Sequence, residues 1–354
     1  MAFPMDMPPV HYVTTPDGVK LAYAMRGKGL PVIFLPFYFS SLEFRWNMAW
    51  LGDVSRHACV AAYDGRGQGL STRNLDRDLT VADFRRDLET VIEAVGFQKF
   101  VLAAYGGFGH VAVRYAVENP ERVHALVLIC TAESFAAYPW LSMLSLAEEN
   151  WDLFLRIQLK NVPAHVLEGA LSNFKSCMTP QDYGRMIWGF ASSDIGDALP
   201  ALDLPVLMIH SLRQHWLSRD EGAKLAAKIR EARIFFPDDE GEIEPEPVQG
   251  AKTIIEFLQG LPPIGPGETR GLGPDRTNGE LSHRQSDVLR LIADGKTTRE
   301  IAGVLVLSER TVERHIADMY AKIGARNRSE ATAFYLRTLN LRAPALAEST
   351  QSSR

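Results

Sequence analysis

Cysteine, which can attack a substrate or bind a metal, is rare and widely spaced in this sequence. The three cysteines, Cys59, Cys130 and Cys177, lie far apart, and no Cys-x-x-Cys pair occurs. This spacing predicts neither a zinc site nor a disulfide framework. We therefore expect no metal and no cofactor, and the cysteine usage fits the reducing cytoplasm.

The groups that we consider for proton transfer are His110, His215 and the acidic run at 238–240. A histidine needs an oriented partner before it can act as a general base. We interpret His110 as a packing residue, Cys177 as a structural thiol and the acidic run as a solvated loop. For His215, a surface role and a role as an unconventional base are equally open.

The charge is divided unevenly along the chain. The net charge of −5 comes from 38 basic and 43 acidic residues. Residues 276–342 contain twelve basic and eight acidic residues, so they carry +4 and the remainder carries −9. The average charge argues against a nucleic-acid partner, whereas a basic tail after an acidic body favours one.

The elements that position these groups indicate two domains. A Gly- and Pro-rich stretch at 261–275 predicts a linker between a body at 1–260 and a tail domain at 276–342, with a disordered end at 343–354. Continuous apolar strands alternate with helices in the body, which indicates a mostly parallel sheet covered on both faces. The predicted strands are 19–27, 31–37, 58–64, 99–105, 124–130, 204–210 and 233–237, and the predicted helices end near 95, 118, 232 and 258.

Targeting signals are not expected. The first nine residues lack a basic start and an apolar run, so they do not form a signal peptide. The longest apolar stretches are far too short to span a bilayer, and we expect no membrane partner and a cytoplasmic location.

The body resembles the α/β-hydrolase fold, with a mostly parallel sheet and a helical lid. The matching segments are TTPDGVKLAYAMRGKGLPVIFLP, AAYDGRGQGLS, VLAAYGGFGHVAVRYAVENPERVHALVLI and LPVLMIHS. Hydrolases of this fold carry their nucleophile on a sharp strand–turn–helix elbow, followed along the chain by an acid and a histidine.

This sequence departs from that pattern at all three positions. The elbow reads Ala-Tyr-Gly-Gly-Phe, with Gly106 in place of the nucleophile. Gln214 stands at the acid position, and no histidine occurs between 232 and 261. A glycine cannot attack, and a neutral amide cannot stabilise an imidazolium as an aspartate does. We therefore expect the body not to be an enzyme.

The resemblance implies a ligand pocket beneath a lid at 131–201. The lid is rich in large side chains, namely Phe135, Tyr138, Trp140, Trp151, Phe154, Phe174, Tyr183, Met186, Trp188 and Phe190. Most of them must bury the core of the lid, but as a set they favour an apolar, aromatic-lined cavity. By analogy with the fold, the expected ligand contacts are Phe37, Tyr38, Tyr105, Gly106, Trp140, Gln214, His215 and Trp216.

Helical patterns fill the tail. Capping boxes begin at Ser282 and Thr297, apolar residues recur at helical spacing, and Gly295 and Gly324 end two helices. A third helix at 309–324 and a fourth at 329–339 complete an all-α, four-helix unit that contains a helix-turn-helix. The segments TTREIA, LSERTVERHI and KIGARNR resemble the DNA-binding domain of LuxR/GerE-type transcriptional regulators.

This second resemblance implies a helix in the major groove of double-stranded DNA. The outward positions of helix 309–324 face base edges, and residues at the helix starts contact phosphates. Family members often carry lysine where Glu313 stands, so its role is open. The expected DNA contacts are Thr297, Thr298, Arg299, Ser308, Arg310, Thr311, Glu313, Arg314, His315, Ala317, Lys322 and Arg328.

The combined expectation is a transcriptional regulator whose body binds a small apolar or aromatic effector without turning it over. A single helix-turn-helix seldom binds tightly alone, so we expect a homodimer on a pseudo-palindromic operator, and RNA polymerase as a partner if it activates. Two alternatives remain: a bifunctional regulator with weak hydrolysis through a base such as His215, and a constitutive DNA-binding protein whose body only dimerises.

Overall fold

The chain forms two compact units, Met1–Gly271 and Leu272–Arg354. The division falls inside the stretch that the sequence predicts as a linker. This computed structural model describes residues 7–38, 40–47, 49–160, 164–210, 217–237, 246–264, 283–293 and 295–305, and single positions between 309 and 335. The predicted linker from 265 onward and the predicted tail at 343–354 lie outside the described residues.

A mixed sheet forms the centre of the first unit. Among the described residues it has eight strands in the order β1-β2-β4-β3-β5-β6-β7-β8. The two pairs that involve β2 are antiparallel and the others are parallel. The strands are β1 (Val10–Thr14), β2 (Lys20–Arg26), β3 (Pro31–Phe34), β4 (Cys59–Tyr63), β5 (Phe100–Tyr105), β6 (Val123–Ile129), β7 (Val206–Ile209) and β8 (Ala232–Phe235).

Helices cover both faces of this sheet. In this unit they are α1 (Leu42–Asn47), α2 (Ala49–Ser55), α3 (Val81–Val95), α4 (Phe108–Glu118), α5 (Leu144–Glu149), α6 (Trp151–Gln158), α7 (Ala164–Cys177), α8 (Pro180–Phe190), α9 (Arg219–Ala226) and α10 (Glu246–Gln259). Two separate apolar clusters result, one under α3, α4 and α9 and the other under α1, α2 and α10. The predicted two-faced, mostly parallel architecture is confirmed.

Two details of the prediction are wrong. Strand β1 is missing from it, because a five-residue edge strand with only partly buried side chains leaves a weak pattern. The helix predicted to reach residue 232 ends at Ala226. Residues 227–231 instead form a turn, in which the Glu231 carbonyl accepts the Val206 N–H, so that Ala232 can begin β8.

Helices α5 to α8 and short 3-10 turns form the insertion after β6, where the sequence predicts a lid. The Phe135 N–H donates to the Ser193 carbonyl, and Ser134 bridges to Asp194, so the two ends of the insertion are joined. Within the described parts of the chain, we find no helix with the length and apolar content needed to cross a membrane.

The second unit contains α11 (His283–Ala293) and α12 (Thr298–Leu305). Gly295 adopts a φ of +78° where α11 ends, as the sequence predicts. The capping box at Thr297 is also present, since the Thr297 N–H donates to the Glu300 carboxylate over 2.7 Å. Val288, Ile301, Val312, Met319 and Ala331 belong to one buried cluster, although most of the predicted third and fourth helices lies outside the described residues.

A buried arginine fixes the turn between β1 and β2 against α3. The guanidinium of Arg66 is fully buried and pairs with Asp87 at 2.6 Å, with Asp17 at 2.8 Å and with Asp83 at 3.4 Å. Arg77 pairs with the same Asp17 and Asp83. Removing one member of such a network destabilises the fold, because it leaves a buried charge without its partner. Hydrogen bonding by Arg66 holds the pKa of Asp17 well below its usual range.

We expect Asp17→Asn to lower the free energy of unfolding by about 1–2 kcal/mol at pH 7, because charge-assisted hydrogen bonds to Arg66 are lost. A carboxyl group whose pKa is lower in the folded than in the unfolded state stabilises the fold at a pH above its unfolded-state pKa. This contribution is lost as the pH falls toward the folded-state pKa. The difference from wild type should therefore narrow below about pH 4. Urea denaturation from pH 3 to 7 measures it. The control is Asp203→Asn, whose pair with Arg230 is largely exposed and should matter by less than about 0.5 kcal/mol. Equal losses in both variants would contradict the prediction.

Candidate functional site

The sharp turn between β5 and α4 lies at Gly106. Its φ is +56°, a region that side chains with a Cβ rarely adopt, and its N–H donates to the Ile129 carbonyl over 2.9 Å. The strand before it is completely buried and α4 starts two residues later. The elbow expected from the fold is therefore present, with glycine at the position that carries the nucleophile in hydrolases.

Aromatic rings occupy the space in which a nucleophilic side chain would project. A Cβ atom built on Gly106 would lie 2.8 Å from Cε2 of Tyr38 and 3.3 Å from Cη2 of Trp140. Both rings are almost completely buried. A serine at position 106 would therefore require Tyr38 to move, because carbon atoms in contact are about 3.5–4 Å apart.

The hydroxyl group of Tyr38 also occupies the backbone donor beside the elbow. The Gly107 N–H donates to the Tyr38 hydroxyl oxygen over 2.8 Å. In hydrolases of this fold, the N–H that follows the nucleophile is one of the two donors that stabilise the oxyanion. Burial holds the pKa of Tyr38 well above its ordinary value, so its hydroxyl stays neutral. Both the nucleophile position and this donor are therefore covered by one side chain.

A cluster of aromatic rings surrounds Tyr38. Its ring centroid lies 4.7 Å from that of Trp140, and the Trp140 ring stacks on Tyr138 at 4.3 Å. Phe37 contacts Tyr105 with centroids 4.2 Å apart. These distances and tilted arrangements are typical of favourable aromatic pairs. We call Phe37, Tyr38, Tyr105, Phe135, Tyr138 and Trp140 the aromatic cluster.

Five of the eight predicted ligand residues, Phe37, Tyr38, Tyr105, Gly106 and Trp140, are brought together here. The other three, Gln214, His215 and Trp216, lie outside the described residues, as does the acidic run at 238–240. The structure adds Phe135 and Tyr138, which the sequence distinguishes only as members of an aromatic-rich lid. Phe135 comes within 2.7 Å of a Cβ built on Gly107, so the second glycine of the elbow is required by close packing as well.

His110 is a packing residue, as the sequence analysis expects. It is fully buried, with Nε2 3.0 Å from the Ala132 carbonyl and Nδ1 2.7 Å from the Ser193 hydroxyl. A carbonyl can only accept, so Nε2 carries the proton and Nδ1 accepts from the serine. Burial lowers the pKa of His110 to about 4. Its lone pair is thus engaged at neutral pH and is not free to take a proton from a nucleophile.

Two other groups that could take part in a reaction, Cys177 and His210, are packed into the core. Cys177 is 2% exposed, and burial raises the pKa of its thiol, so the reactive thiolate is disfavoured. His210 directly follows β7, whereas the sequence predicts it as the last residue of that strand. Its ring is buried and lies 2.8 Å from a Cβ built on Gly222 of α9. Burial lowers its pKa as well.

The expected DNA contacts are partly described in the second unit. Thr297 and Arg299 are exposed at the start of α12, Thr298 is half-buried and Glu313 is exposed. Arg328 is half-buried and the Arg328 carbonyl accepts the Thr332 hydroxyl. An exposed helix start that carries an arginine is a place where an anion can bind. Ser308, Arg310, Thr311, Arg314, His315, Ala317 and Lys322 lie outside the described residues.

Comparison with known proteins identifies the family of the second unit. The family model of bacterial regulatory proteins, luxR family, matches residues 279–335. The spore germination protein GerE of Bacillus subtilis (strain 168) is 42% identical over 57 residues, which are 16% of this chain and 77% of GerE. The chain belongs to the LuxR family. This LuxR-family protein therefore carries a DNA-binding regulator domain, as the tail segments predict.

The first unit of this LuxR-family protein has the α/β-hydrolase fold, as its strand order and segments predict. The alpha/beta hydrolase fold model matches residues 31–164. The AB hydrolase superfamily protein YisY of Bacillus subtilis (strain 168) is 23% identical over 250 residues, 63% of this chain and 89% of YisY. The enol-lactonase from Burkholderia xenovorans LB400 superposes with a TM-score of 0.59 at 21% identity, over 70% of this chain and 100% of the enzyme.

Most of the matched regulators are much longer than the segment they share with this protein. The chain spans 26% to 32% of the length of three curated regulators that it matches. The shared segment is the DNA-binding domain, whereas the hydrolase-fold unit matches a different set of proteins.

We expect Gly106→Ala to destabilise the hydrolase-fold unit through a collision with Tyr38. The matched control is Gly18→Ala, because Gly18 has a φ of +86° but nothing within 4 Å of its added Cβ. Both variants strain the backbone, but only Gly106→Ala also overpacks the core. Its free energy of unfolding should therefore fall by about 1–3 kcal/mol more than that of Gly18→Ala. Denaturant unfolding measures both losses. Adding Tyr38→Ala should reduce the excess loss in a double-mutant cycle. Equal losses at positions 18 and 106 would show that Tyr38 does not fill this space.

Proposed function

We propose that this protein is a transcriptional regulator whose hydrolase-fold unit has no hydrolase activity and binds a small apolar or aromatic effector. The observation that carries the proposal is the position of Tyr38. Its ring fills the space above Gly106, and its hydroxyl takes the Gly107 N–H. Acyl transfer needs both a nucleophile and free donors for the oxyanion.

The aromatic cluster supports the choice of effector. Ligand sites are concave, mostly apolar and supplied with few polar groups. Here the rings of Phe37, Tyr38, Tyr105 and Trp140 lie at the carboxyl ends of the strands, where α/β sheets bind their ligands. The ring of an aromatic effector would replace some of the ring–ring contacts within this cluster. The cluster would then pack differently, and the protein would have a second conformation. An effector regulates only if it prefers one of two such states.

The DNA-binding unit supplies the output of the proposed regulator. The helix at 309–324 would enter the major groove, with Arg310 and Arg314 directed at base edges. Arg299 and the start of α12 would hold the phosphate backbone. A homodimer would place two such units on a pseudo-palindromic operator about one helical turn apart. RNA polymerase would be a further partner if the protein is an activator.

A second candidate function is weak hydrolysis through an unconventional base. His215 favours it, since it neighbours the acid position in the sequence. An ester and lactone hydrolysis assay on the wild type and on His215→Ala separates the two functions. Turnover that disappears in the variant would establish an enzyme, whereas no turnover in the wild type is the result that the regulator proposal expects.

We expect a small aromatic compound to change the DNA affinity of the full chain by about fivefold or more, a typical allosteric coupling. The operator DNA is first selected from a random pool by the protein itself. Fluorescence anisotropy then measures the affinity for this DNA in the presence of each compound of a panel of small aromatic compounds. Trp140→Ala should abolish the response because Trp140 belongs to the aromatic cluster. Trp188→Ala is the control, since Trp188 lies in the same lid but is 62% exposed, and it should leave the response intact. If no compound alters melting temperature or DNA affinity, the body is only a dimerisation unit.

We expect Arg299→Ala to weaken DNA binding uniformly across operator variants and to reduce the slope of log K against log salt by about one. The reason is that a phosphate contact carries affinity without sequence information. Titrations between 50 and 200 mM salt measure the slope. Arg290→Ala provides the control, because Arg290 is exposed on α11, outside the helix-turn-helix. A changed base preference with an unchanged salt slope would instead assign Arg299 to base recognition.

A further inference from the structure

Gln68 carries a buried side-chain amide in the loop after β4. Its residue is 0% exposed. Within the part of the chain that the structure describes, neither Oε1 nor Nε2 has a hydrogen-bond partner. A buried amide normally satisfies both its donor and its acceptor, because leaving them unpaired lowers the stability of the fold. An unpaired amide in a native protein therefore needs an explanation, and a polar group of a bound molecule is one.

The loop that carries Gln68 is held firmly in place. The Leu70 N–H and the Ser71 hydroxyl donate to the Asp64 carboxylate and to its backbone carbonyl, over 2.8 and 2.6 Å. The Gly69 N–H donates to the Cys177 carbonyl at the end of α7 over 2.7 Å. The loop is thus tied both to β4 and to the lid. The backbone that carries the buried amide is therefore held in place.

The Gln68 amide lies beside the loop that begins the aromatic cluster. A Cβ built on Gly65 would lie 3.0 Å from the Pro36 ring and 3.7 Å from Nε2 of Gln68. Pro36 directly precedes Phe37 and Tyr38, so the amide lies close to the loop that carries the first two rings of the cluster. A site with apolar walls and one oriented polar group has the composition of a small-molecule site.

We propose that Gln68 is the polar recognition group of the effector site, and that it selects a small aromatic molecule with a carboxamide-type edge. On such an edge an N–H donor lies next to a carbonyl acceptor, and the two pair with Oε1 and Nε2 of Gln68 in turn. This inference rests on the proposed function, because it names the chemical class of the effector. A ligand without the donor leaves Oε1 unpaired, which is a strong basis for discrimination.

The test compares two probes of nearly the same shape with the full chain. Benzamide presents the donor and the acceptor, whereas acetophenone replaces the amide nitrogen by a methyl group. Wild type should bind benzamide at least tenfold more tightly by titration calorimetry. Gln68→Leu should bind the two probes equally within about twofold. Equal binding by wild type, no binding of benzamide, or a preference that survives in Gln68→Leu would each overturn the proposal.

A measurement without ligand tests the unpaired amide itself. Gln68→Leu removes two unsatisfied polar atoms at nearly constant volume, so the melting temperature should rise by about 2–4 °C. Gln68→Met provides a second apolar replacement with an unbranched chain. Gln98→Leu is the control, since Gln98 is exposed and its replacement should leave the melting temperature unchanged. If both variants at position 68 melt at lower temperature, the amide is already satisfied by a structural water and the proposal fails.

The outcomes separate this inference from the proposed function. If aromatic compounds change DNA affinity equally in wild type and in Gln68→Leu, the effector proposal stands and the assignment of Gln68 is wrong. If the probes bind with the expected preference but no compound alters DNA affinity, the assignment of Gln68 stands and regulation by the site is wrong.

Discussion

The contact between Tyr38 and the two glycines of the elbow constrains the whole carboxyl edge of the sheet. A phenol ring can lie on the strand–helix turn only if positions 106 and 107 have no side chains. Phe135 and Trp140 then pack against the same turn from the lid. Because the lid, the loop after β3 and the start of α4 share these rings, a displacement of Tyr38 must change the packing of all three.

The sequence predicts the architecture well because the determinants of the architecture are local. Seven of the strands follow from continuous apolar runs, and the capping box at Thr297 is where the sequence places it. The expectation that the triad is missing rests on Gly106, on Gln214 and on the absence of a histidine between 232 and 261. Edge strand β1 escapes prediction because its side chains are only partly buried, so its alternation is weak.

What the sequence does not predict depends on contacts between distant residues. That Tyr38 reaches the Gly107 N–H, across 69 positions, depends on how the loop after β3 folds back over the elbow. The burial of Arg66 among three aspartates is likewise invisible in a motif that reads as a glycine-rich turn. In the same segment, glutamine is a residue type usually found at the surface, yet Gln68 is buried.

The glycine pair at the elbow also bears on how this sequence can diverge. A serine at 106 collides with Tyr38, and a smaller residue at 38 leaves a void under Trp140 and frees the Gly107 N–H. Each single step passes through a less stable protein, and only the joint change avoids the penalty. Because proteins are only marginally stable, a single substitution that lowers stability in this way is poorly tolerated. The residue at position 38 therefore decides whether position 106 can carry a side chain.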